Sequence, residues 1–229
     1  MKQGRKQSDV YVFDAYGTLF DVHSAVTRHR AAIGAEADRL SDLWRIKQLE
    51  YSWVRSLCDA YRDFAALTED ALDFAAARYG GLSSALRSDL LAAYRKLDAY
   101  PEVGSTLAAL RDRGARLAIL SNGTGGMLAD AVAAAGLGSL FEAILSVDEA
   151  KIFKTAPQAY ALVERHMNVS RGEVCFVSSN RWDIAGAMRY GFSAVWINRA
   201  QMPDEYPDLA PIAQLSSLEG LTSVPINPA

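Results

Sequence analysis

The stretch VYVFDAYGT, residues 10–18, joins a short apolar run to a polar turn. Its first four residues are apolar and include two β-branched valines, and Asp14 follows them directly. Such a run, ending where the polarity changes abruptly, is typical of a buried strand in a parallel sheet. Further runs of the same kind predict the other strands, at Leu117–Leu120, Ala143–Val147, Val174–Val177 and Ala194–Ile197.

Helical patterns separate the later strands. Residues 128–135 end at Gly136, residues 157–167 begin with a proline, and residues 184–190 end at Gly191. Proline at the first position of a helix and glycine just past its end are common boundary signals. The alternation of strands and helices predicts a doubly wound α/β core.

The segment between the first two strands breaks this alternation. Residues 22–100 contain helical patterns, for example over 64–79 and 84–97, without a convincing strand. A chain of 229 residues is long for one domain and short for two, which fits one core with a smaller insertion. We therefore expect a core formed by residues 1–20 and 100–229, and an inserted helical domain over residues 21–99.

The composition is that of an ordinary globular protein, with 50% of the residues hydrophobic and 22% charged. The net charge of −3, with basic residues scattered among acids, argues against nucleic acid as a partner. Neither a long uncharged apolar run nor a signal-peptide pattern occurs, so we expect a cytoplasmic protein that does not associate with membranes. Cys58 and Cys175 lack metal or redox spacing and are expected to be buried and reduced. The polar ends, Met1–Gln7 and Pro225–Ala229, are expected to fray.

Polar residues follow four of the predicted strands. Asp14 comes directly after the first strand, Ser121 and Asn122 after the second, Lys154 after the third and residues 178–183 after the fourth. Open α/β sheets bind ligands in the crevice beyond the carboxyl ends of their strands, so we expect these groups to meet there. Any one of them alone would more commonly be a turn residue or a helix cap. Together they offer a carboxylate nucleophile, hydroxyl and amide donors, and an ammonium group.

A family resemblance is carried by four segments: FDAYGTLFDV (13–22), WRIKQLEYSW (44–53), LSNG (120–123) and FVSSNRWD (176–183). In this order they are similar to the signature segments of the L-2-haloacid dehalogenases of the haloacid dehalogenase superfamily. The resemblance runs from about Val10 to Asn198. It implies a Rossmann-like parallel-sheet core with an inserted helical cap domain.

The same resemblance implies an activity and a substrate. The expected reaction is hydrolysis of small (S)-2-haloacids to (R)-2-hydroxyacids and halide, with a small halogenated carboxylate as the partner molecule. Dimers are common in this family, so a homodimer remains an open expectation.

The resemblance also implies roles for the candidate catalytic residues. Asp14 would attack the 2-carbon of the substrate from behind the halogen and become an ester. Lys154 would keep Asp14 ionised, because a nearby ammonium lowers the pKa of a carboxylate. Asp183, oriented through Asn180 and Ser178, would position the water that attacks the ester.

Arg45 is the one charge on a predicted helix stripe that is otherwise apolar and includes Leu49 and Trp53. From the helix alone, an arginine that keeps its charged end in solvent would explain the pattern equally well. The resemblance implies instead that Arg45 binds the departing halide or steers the anionic substrate.

The resemblance implies an apolar wall around the substituent on the 2-carbon and hydrogen-bond donors for the substrate carboxylate. Each wall residue alone would be interpreted as core packing. The wall residues are Tyr16, Leu49, Phe64 and Trp182. The other expected substrate-binding residues are Ala15, Thr18, Ser121, Asn122 and Tyr160.

A phosphatase of the same superfamily is the alternative function, and a non-catalytic binding protein with this fold is a further one. Phosphatases of the superfamily keep an acid two residues after the nucleophile and another after strand four, where this chain has Tyr16 and Ser179. Mg²⁺ needs clustered oxygen anions, so we expect a site without metal or cofactor. A halide leaves without a proton, so dehalogenation does not need the missing acid. The chain departs from the dehalogenase pattern after Lys154, where Thr155 and Ala156 replace the usual Pro and Asp.

Overall fold

A parallel β-sheet lies at the centre of the computed structural model, which describes residues 9–225. The strands are β1 Val10–Phe13, β2 Arg116–Ser121, β3 Ala143–Ser146, β4 Val174–Ser178, β5 Ser193–Ile197 and β6 Ala213–Leu215. Their order across the sheet is β3-β2-β1-β4-β5-β6. β1 is fully buried and pairs on both sides, with Val10 opposite Arg116 in β2 and Val174 in β4. This central position brings the carboxyl end of β1 between those of β2 and β4.

The α-helices fall into two groups. Those between β1 and β2 are α1 Ser24–Arg28, α2 Arg30–Ile33, α3 Ala37–Leu57, α4 Phe64–Arg78 and α5 Ser84–Tyr94. Those that accompany the sheet are α6 Val103–Asp112, α7 Gly125–Ala134, α8 Pro157–Met167 and α9 Arg181–Tyr190. Local signals set several boundaries: Thr124 caps α7 with its side chain, Pro157 starts α8, and Gly191 ends α9 with a φ of 109°.

The inserted helices are tied together by buried polar contacts as well as by apolar packing. Trp44 of α3 donates its indole N–H to the Thr68 carbonyl of α4 at 2.8 Å. Gln48 donates to the Thr68 hydroxyl at 3.0 Å and accepts from the Tyr94 hydroxyl of α5 at 3.1 Å. Because buried polar groups are costly unless they are hydrogen-bonded, these contacts fix how the three helices pack.

Two linkers, residues 19–21 and 98–100, connect the inserted helices to the sheet. They run side by side, with the Asp21 N–H donating to the Asp98 carbonyl at 2.8 Å. The insertion therefore leaves and re-enters the core at one place.

The observed sheet confirms the predicted α/β class with a helical insertion. The five predicted strands coincide with β1 to β5 to within a residue at either end. β6 was not predicted, because three partly exposed residues at the sheet edge are too short to give a periodic signal.

Cys175 is buried, as expected, but the prediction of a buried Cys58 is wrong. Cys58 is exposed because it caps the carboxyl end of α3, where the chain turns away from the packed face. The ends expected to fray lie outside the described residues, apart from Pro225, which is exposed. Within residues 9–225, no helix combines the length and apolarity needed to cross a membrane.

Candidate active site

The carboxylate of Asp14, directly beyond β1, is surrounded by hydrogen-bond donors. The Asp14 N–H donates to the Val177 carbonyl at 2.9 Å, so pairing with β4 holds its backbone. Its Oδ2 accepts from Asn180 Nδ2 at 2.8 Å, Thr18 Oγ1 at 3.0 Å and Ser178 Oγ at 3.4 Å. Asp14 is only 5% exposed, so these groups take the place of water around the carboxylate.

The ammonium of Lys154 lies between two carboxylates. Its Nζ donates to Asp14 Oδ1 at 3.1 Å and to Asp183 Oδ2 at 2.8 Å, and the lysine side chain is fully buried. The Lys154 backbone N–H donates to Asn122 Oδ1 at 3.0 Å, which anchors the segment to the end of β2. Removing this buried cation would leave two carboxylates facing each other without compensation.

Asp183, on the first turn of α9, completes the cluster. Its Oδ1 accepts from the Tyr160 hydroxyl at 2.7 Å. Burial raises the pKa of the Asp183 carboxyl to about 6, with the Lys154 ammonium opposing the rise and the Asp14 carboxylate adding to it. Burial, followed by the Asp183 carboxylate, raises the pKa of Tyr160 well above its ordinary value, so the phenol stays a neutral donor. A carboxyl that titrates near neutral pH is suited to accept a proton from water.

The partners of Asp183 differ from those expected from the sequence. The side chains of Asn180 and Ser178 bond to Asp14, and Lys154 and Tyr160 hold the Asp183 carboxylate instead. Ser178 is still inside β4 and Asn180 caps α9, so both side chains face the neighbouring end of β1. Asn180 contacts Asp183 through the backbone, accepting the Asp183 N–H at 3.0 Å.

The turn after β1 sets the position of Thr18. Gly17 has a φ of 88°, in the left-handed region that favours glycine. The Thr18 hydroxyl donates to Asp14 and accepts the Ser179 backbone N–H at 2.8 Å, so it bridges the ends of β1 and β4. Ala15 is fully buried, and its carbonyl accepts backbone N–H groups from the residues that follow. Ala15 therefore supports the turn.

The end of β2 contributes a second turn to the site. Ser121 is buried and its hydroxyl accepts the Gly123 N–H at 3.1 Å, while Asn122 anchors Lys154. A Cβ on Gly123 would lie 2.6 Å from a ring carbon of Tyr16, so the tyrosine can occupy its place only because this position is glycine.

α3 brings Arg45 from the insertion to the turn after β1. The half-buried Arg45 donates through Nη2 to the Tyr16 carbonyl at 3.3 Å, and Asn180 donates to the same carbonyl at 3.2 Å. Leu49 lies one helical turn further along α3 and is also half-buried. Three hydrogen bonds, through the Tyr16 carbonyl and the Asn180 side chain, therefore connect Arg45 with the Asp14 carboxylate.

Aromatic rings line the boundary between the insertion and the sheet. Tyr16 stacks on Tyr94 at 5.7 Å between ring centres and lies 6.1 Å from Phe64. Trp182 meets Trp53 of α3 edge to face at 5.4 Å. The Tyr16 hydroxyl is buried and has no hydrogen-bond partner among the described residues. The rings contribute apolar surface close to the charged cluster.

Hydrogen bonds join most of the predicted site residues into one network. Its members are Asp14, Tyr16, Thr18, Arg45, Asn122, Lys154, Tyr160, Ser178, Asn180 and Asp183. The predicted residues that contribute no side-chain hydrogen bond to this network are Ala15, Leu49, Phe64, Ser121 and Trp182.

Two rings of this region were not among the predicted site residues. Trp53 was placed on the stripe of Arg45, eight residues later, but it was not assigned to the site. Tyr94 gave no local signal, because its contact with Tyr16 depends on how α5 packs against α3.

The cluster can support nucleophilic and base-assisted chemistry. It combines a fixed carboxylate, a buried ammonium and a second carboxyl whose pKa is close to neutral. In the part of the chain that the structure describes, no three His, Cys, Asp or Glu side chains are grouped so that they could hold a metal ion.

Known proteins of similar sequence and structure cover almost the whole chain. The family model for haloacid dehalogenase-like hydrolases matches residues 9–191. (S)-2-haloacid dehalogenase 1 of Pseudomonas sp. (strain CBS-3) is 49% identical over 211 residues, which are 92% of this chain and 93% of that protein.

Two solved structures are similar to this chain in both fold and sequence. A dehalogenase with intermediate complex has a TM-score of 0.93 at 44% identity, covering 97% of this chain and 99% of that one. L-2-haloacid dehalogenase from Xanthobacter autotrophicus with chloropropionic acid covalently bound has a TM-score of 0.85 at 35% identity, covering 94% and 97%. The chain therefore belongs to the haloacid dehalogenase-like hydrolases and, within them, to the (S)-2-haloacid dehalogenases.

Proposed function

We propose that the chain converts small (S)-2-haloacids to (R)-2-hydroxyacids and halide through an ester on Asp14. The observation that carries this proposal is the hydrogen bonding of Asp14, whose Oδ2 is held by Asn180 and Thr18 while Oδ1 contacts Lys154 at 3.1 Å. A carboxylate held in this way presents its oxygens in a fixed direction, as a nucleophile requires. The Xanthobacter enzyme with chloropropionic acid covalently bound supports a covalent intermediate here too.

In the first half-reaction, an oxygen of Asp14 forms a bond to the 2-carbon from the side opposite the halogen. The carbon–halogen bond breaks, the halide leaves with the bonding electrons, and the configuration at the 2-carbon inverts. Arg45 is proposed to attract either the halide or the substrate carboxylate, since it brings a cation to the turn beside Asp14. Ser121 and Asn122 are proposed to receive the substrate carboxylate.

In the second half-reaction, Asp183 takes a proton from a water molecule that attacks the carboxyl carbon of the ester. Tyr160 and Lys154 orient the Asp183 carboxylate for this step. The bond between that carbon and the ester oxygen breaks, and this oxygen takes the proton back from Asp183 as the hydroxyacid leaves. The second proton of water passes to solvent, and Asp14 regains a carboxylate that contains the oxygen of water.

We also propose which groups each of the two parts of the chain supplies to the reaction. Residues 1–20 and 100–229 form a core that supplies the reacting groups, and residues 21–99 form a cap that supplies Arg45 and part of the apolar wall. The proposed wall is formed by Tyr16, Leu49, Phe64 and Trp182. Apolar surface around the 2-carbon keeps out bulk water, which strengthens the charge interactions inside.

Chloride release from the two enantiomers of 2-chloropropanoate tests this function. We expect the (S) enantiomer to yield chloride and (R)-lactate in equal amounts, because backside attack by Asp14 inverts the carbon once. Chiral chromatography of the product and a chloride assay measure both. Lactate of retained configuration would contradict a single displacement at carbon.

A parallel assay with p-nitrophenyl phosphate, with and without Mg²⁺ or a chelator, separates the phosphatase alternative. We expect dehalogenation to be unaffected by the chelator, because Tyr16 and Ser179 put neutral groups where the phosphatases carry acids. Phosphate release that depends on Mg²⁺, without chloride release, would favour the phosphatase.

The pH dependence follows from Asp183. Burial raises the pKa of its carboxyl to about 6, so the base is protonated, and cannot accept a proton, below that pH. In the ester, Asp14 carries no charge and no longer adds to this rise, so hydrolysis should slow about tenfold for each pH unit below a pKa that lies under that of the free enzyme, and it should be nearly constant above it. Pre-steady-state measurement of the step after halide release gives this profile.

The Tyr160→Phe variant provides the control for this assignment. The Tyr160 hydrogen bond favours the ionised form of Asp183, so its removal should raise the pKa and move the acidic limb to higher pH. If the acidic limb of the pH–rate profile stays at the same pH in this variant, the titrating group is not Asp183.

A further inference from the structure

Arg199, two residues after β5, contacts the residue before the first linker and the last residue of the second linker. Its Nη2 donates to the Thr18 carbonyl, next to the first linker, at 3.0 Å. Its guanidinium forms an ion pair with Glu102 and lies 4.0 Å from the ring centre of Tyr100, in the second linker. The arginine side chain is only 20% exposed, and that of Glu102 is 10% exposed. One guanidinium therefore holds three different partners in a largely buried place.

Thr18 connects this arginine with the reacting carboxylate. The Thr18 hydroxyl donates to Asp14 Oδ2 at 3.0 Å and accepts the Ser179 N–H at 2.8 Å. The turn that leads to Thr18 contains Gly17 in the left-handed region, where the backbone is permissive. The Thr18 N–H makes only a long contact of 3.3 Å to the Ala15 carbonyl. The Arg199 contact on the carbonyl is thus a restraint on the Thr18 backbone that acts beside the bonds of its hydroxyl.

We propose that Arg199 is a positioning residue for dehalogenation. It holds the Thr18 carbonyl so that the Thr18 hydroxyl stays on Asp14, and it ties this geometry to Tyr100 at the end of the second linker and to Glu102 just after it. Arg199 does not touch Asp14, so its effect passes through Thr18. The inference rests on the proposed function, in which the oxygens of Asp14 are the reacting atoms.

The chemistry of arginine fits this role better than that of lysine. A planar guanidinium can donate to a carbonyl and a carboxylate at fixed angles while its face stacks on an aromatic ring. The ammonium of a lysine is a compact charge that can keep the ion pair with Glu102. It cannot also stack on the Tyr100 ring and donate at fixed angles to the Thr18 carbonyl. Arg199→Lys should therefore keep most of the stability and lose much of the positioning.

A double-mutant cycle of Arg199→Ala and Thr18→Val tests the proposal. Each single variant should lower kcat for halide release by roughly ten- to a hundredfold, as expected for loss of one hydrogen bond to a charged group, with KM changed much less. Because Arg199 acts through Thr18, the double variant should be no slower than Thr18→Val alone. If the two effects multiply, Arg199 does not act through Thr18 and the proposal is wrong.

Arg171→Ala is the control for the loss of an arginine that makes the same kinds of contact, with a side chain that is more exposed, 53% against 20% for Arg199. Arg171 also pairs with a carboxylate, Glu164, donates to the Tyr190 carbonyl at 3.1 Å and lies 4.4 Å from the Tyr190 ring centre. Its hydrogen bonds include no member of the network around Asp14, so its removal should lower Tm and leave kcat near that of the unchanged protein. If Arg199→Ala and Arg171→Ala lose kcat equally, Arg199 has only a structural role and the proposal is wrong.

Guanidinium ion supplies an independent readout. At millimolar concentration it should restore part of the kcat of Arg199→Ala by filling the vacated place, and it should not raise the kcat of Arg171→Ala. If Arg199→Ala does not fold, the same cycle is measured with Arg199→Lys. Labelling in ¹⁸O water separates the two hypotheses. If the effects of the two substitutions are coupled but Asp14 carries no label after turnover, only the proposed function is contradicted. If Asp14 is labelled but the two effects multiply, only the role of Arg199 is contradicted.

Discussion

A single turnover of (S)-2-chloropropanoate in ¹⁸O water should label Asp14 and leave the hydroxyacid unlabelled. In the two-step route, the oxygen that joins the 2-carbon comes from Asp14, and water later attacks the carboxyl carbon of the ester. The oxygen of water therefore stays in the protein after the first turnover and reaches the product only in later ones. Mass spectrometry of the peptide that contains Asp14, with enzyme in excess over substrate, measures this.

Asp14→Asn should lower turnover about 10⁶-fold, the scale seen when the nucleophile of another hydrolase is removed. A neutral amide is a weak nucleophile, and it can no longer form the ion pair with Lys154. Asp130→Asn, which removes a surface carboxylate paired with Arg95 at 2.6 Å, is the control and should stay near full activity. Labelled hydroxyacid after one turnover, with unlabelled Asp14, would recast Asp14 as a base that activates water.

Asp183→Asn should release about one equivalent of halide per enzyme and then nearly stop. The first displacement does not need Asp183 as a base, whereas attack of water on the ester does, so the ester accumulates. We expect steady-state turnover to fall by roughly 10²- to 10⁴-fold, the usual contribution of general base catalysis. The trapped ester should appear as an increase in mass of the peptide that contains Asp14.

Glu164→Gln is the matched control for this variant. Glu164 is a carboxylate that also accepts from a tyrosine hydroxyl, that of Tyr190, and pairs with a cation, Arg171, at a distance from Asp14. Its replacement should leave both the halide burst and the steady state unchanged. Loss of the burst itself in Asp183→Asn would show that Asp183 is needed for the first displacement, through Lys154, and would refute a role confined to ester hydrolysis.

Much of the candidate site was predictable because it sits at strand ends. Asp14, Ser121 and Ser178 follow or end buried apolar runs, and parallel strands present their carboxyl ends on one edge of the sheet. The side-chain partners were less predictable. Asn180 and Ser178 were expected to orient Asp183 but bond to Asp14, since the direction of a side chain depends on the turn that carries it.

The sequence by itself determined the α/β class, the places of β1 to β5, the helical insertion and the residues available for chemistry. These are local properties: the length of an apolar run, the glycines and prolines that end it, and the polar residue that follows. Only the tertiary structure decided that Lys154 lies between Asp14 and Asp183, 140 and 29 residues away along the chain.

The structure also decided that Arg199 meets Thr18, 181 residues earlier in the chain, and that β6 joins the sheet edge while Cys58 faces solvent. Such contacts depend on how helices and strands pack against each other. This packing sets the direction and burial of each side chain, and it must bring donor and acceptor atoms within hydrogen-bond distance. No local pattern contains that information, because the partners are brought together only by burial of the core that lies between them.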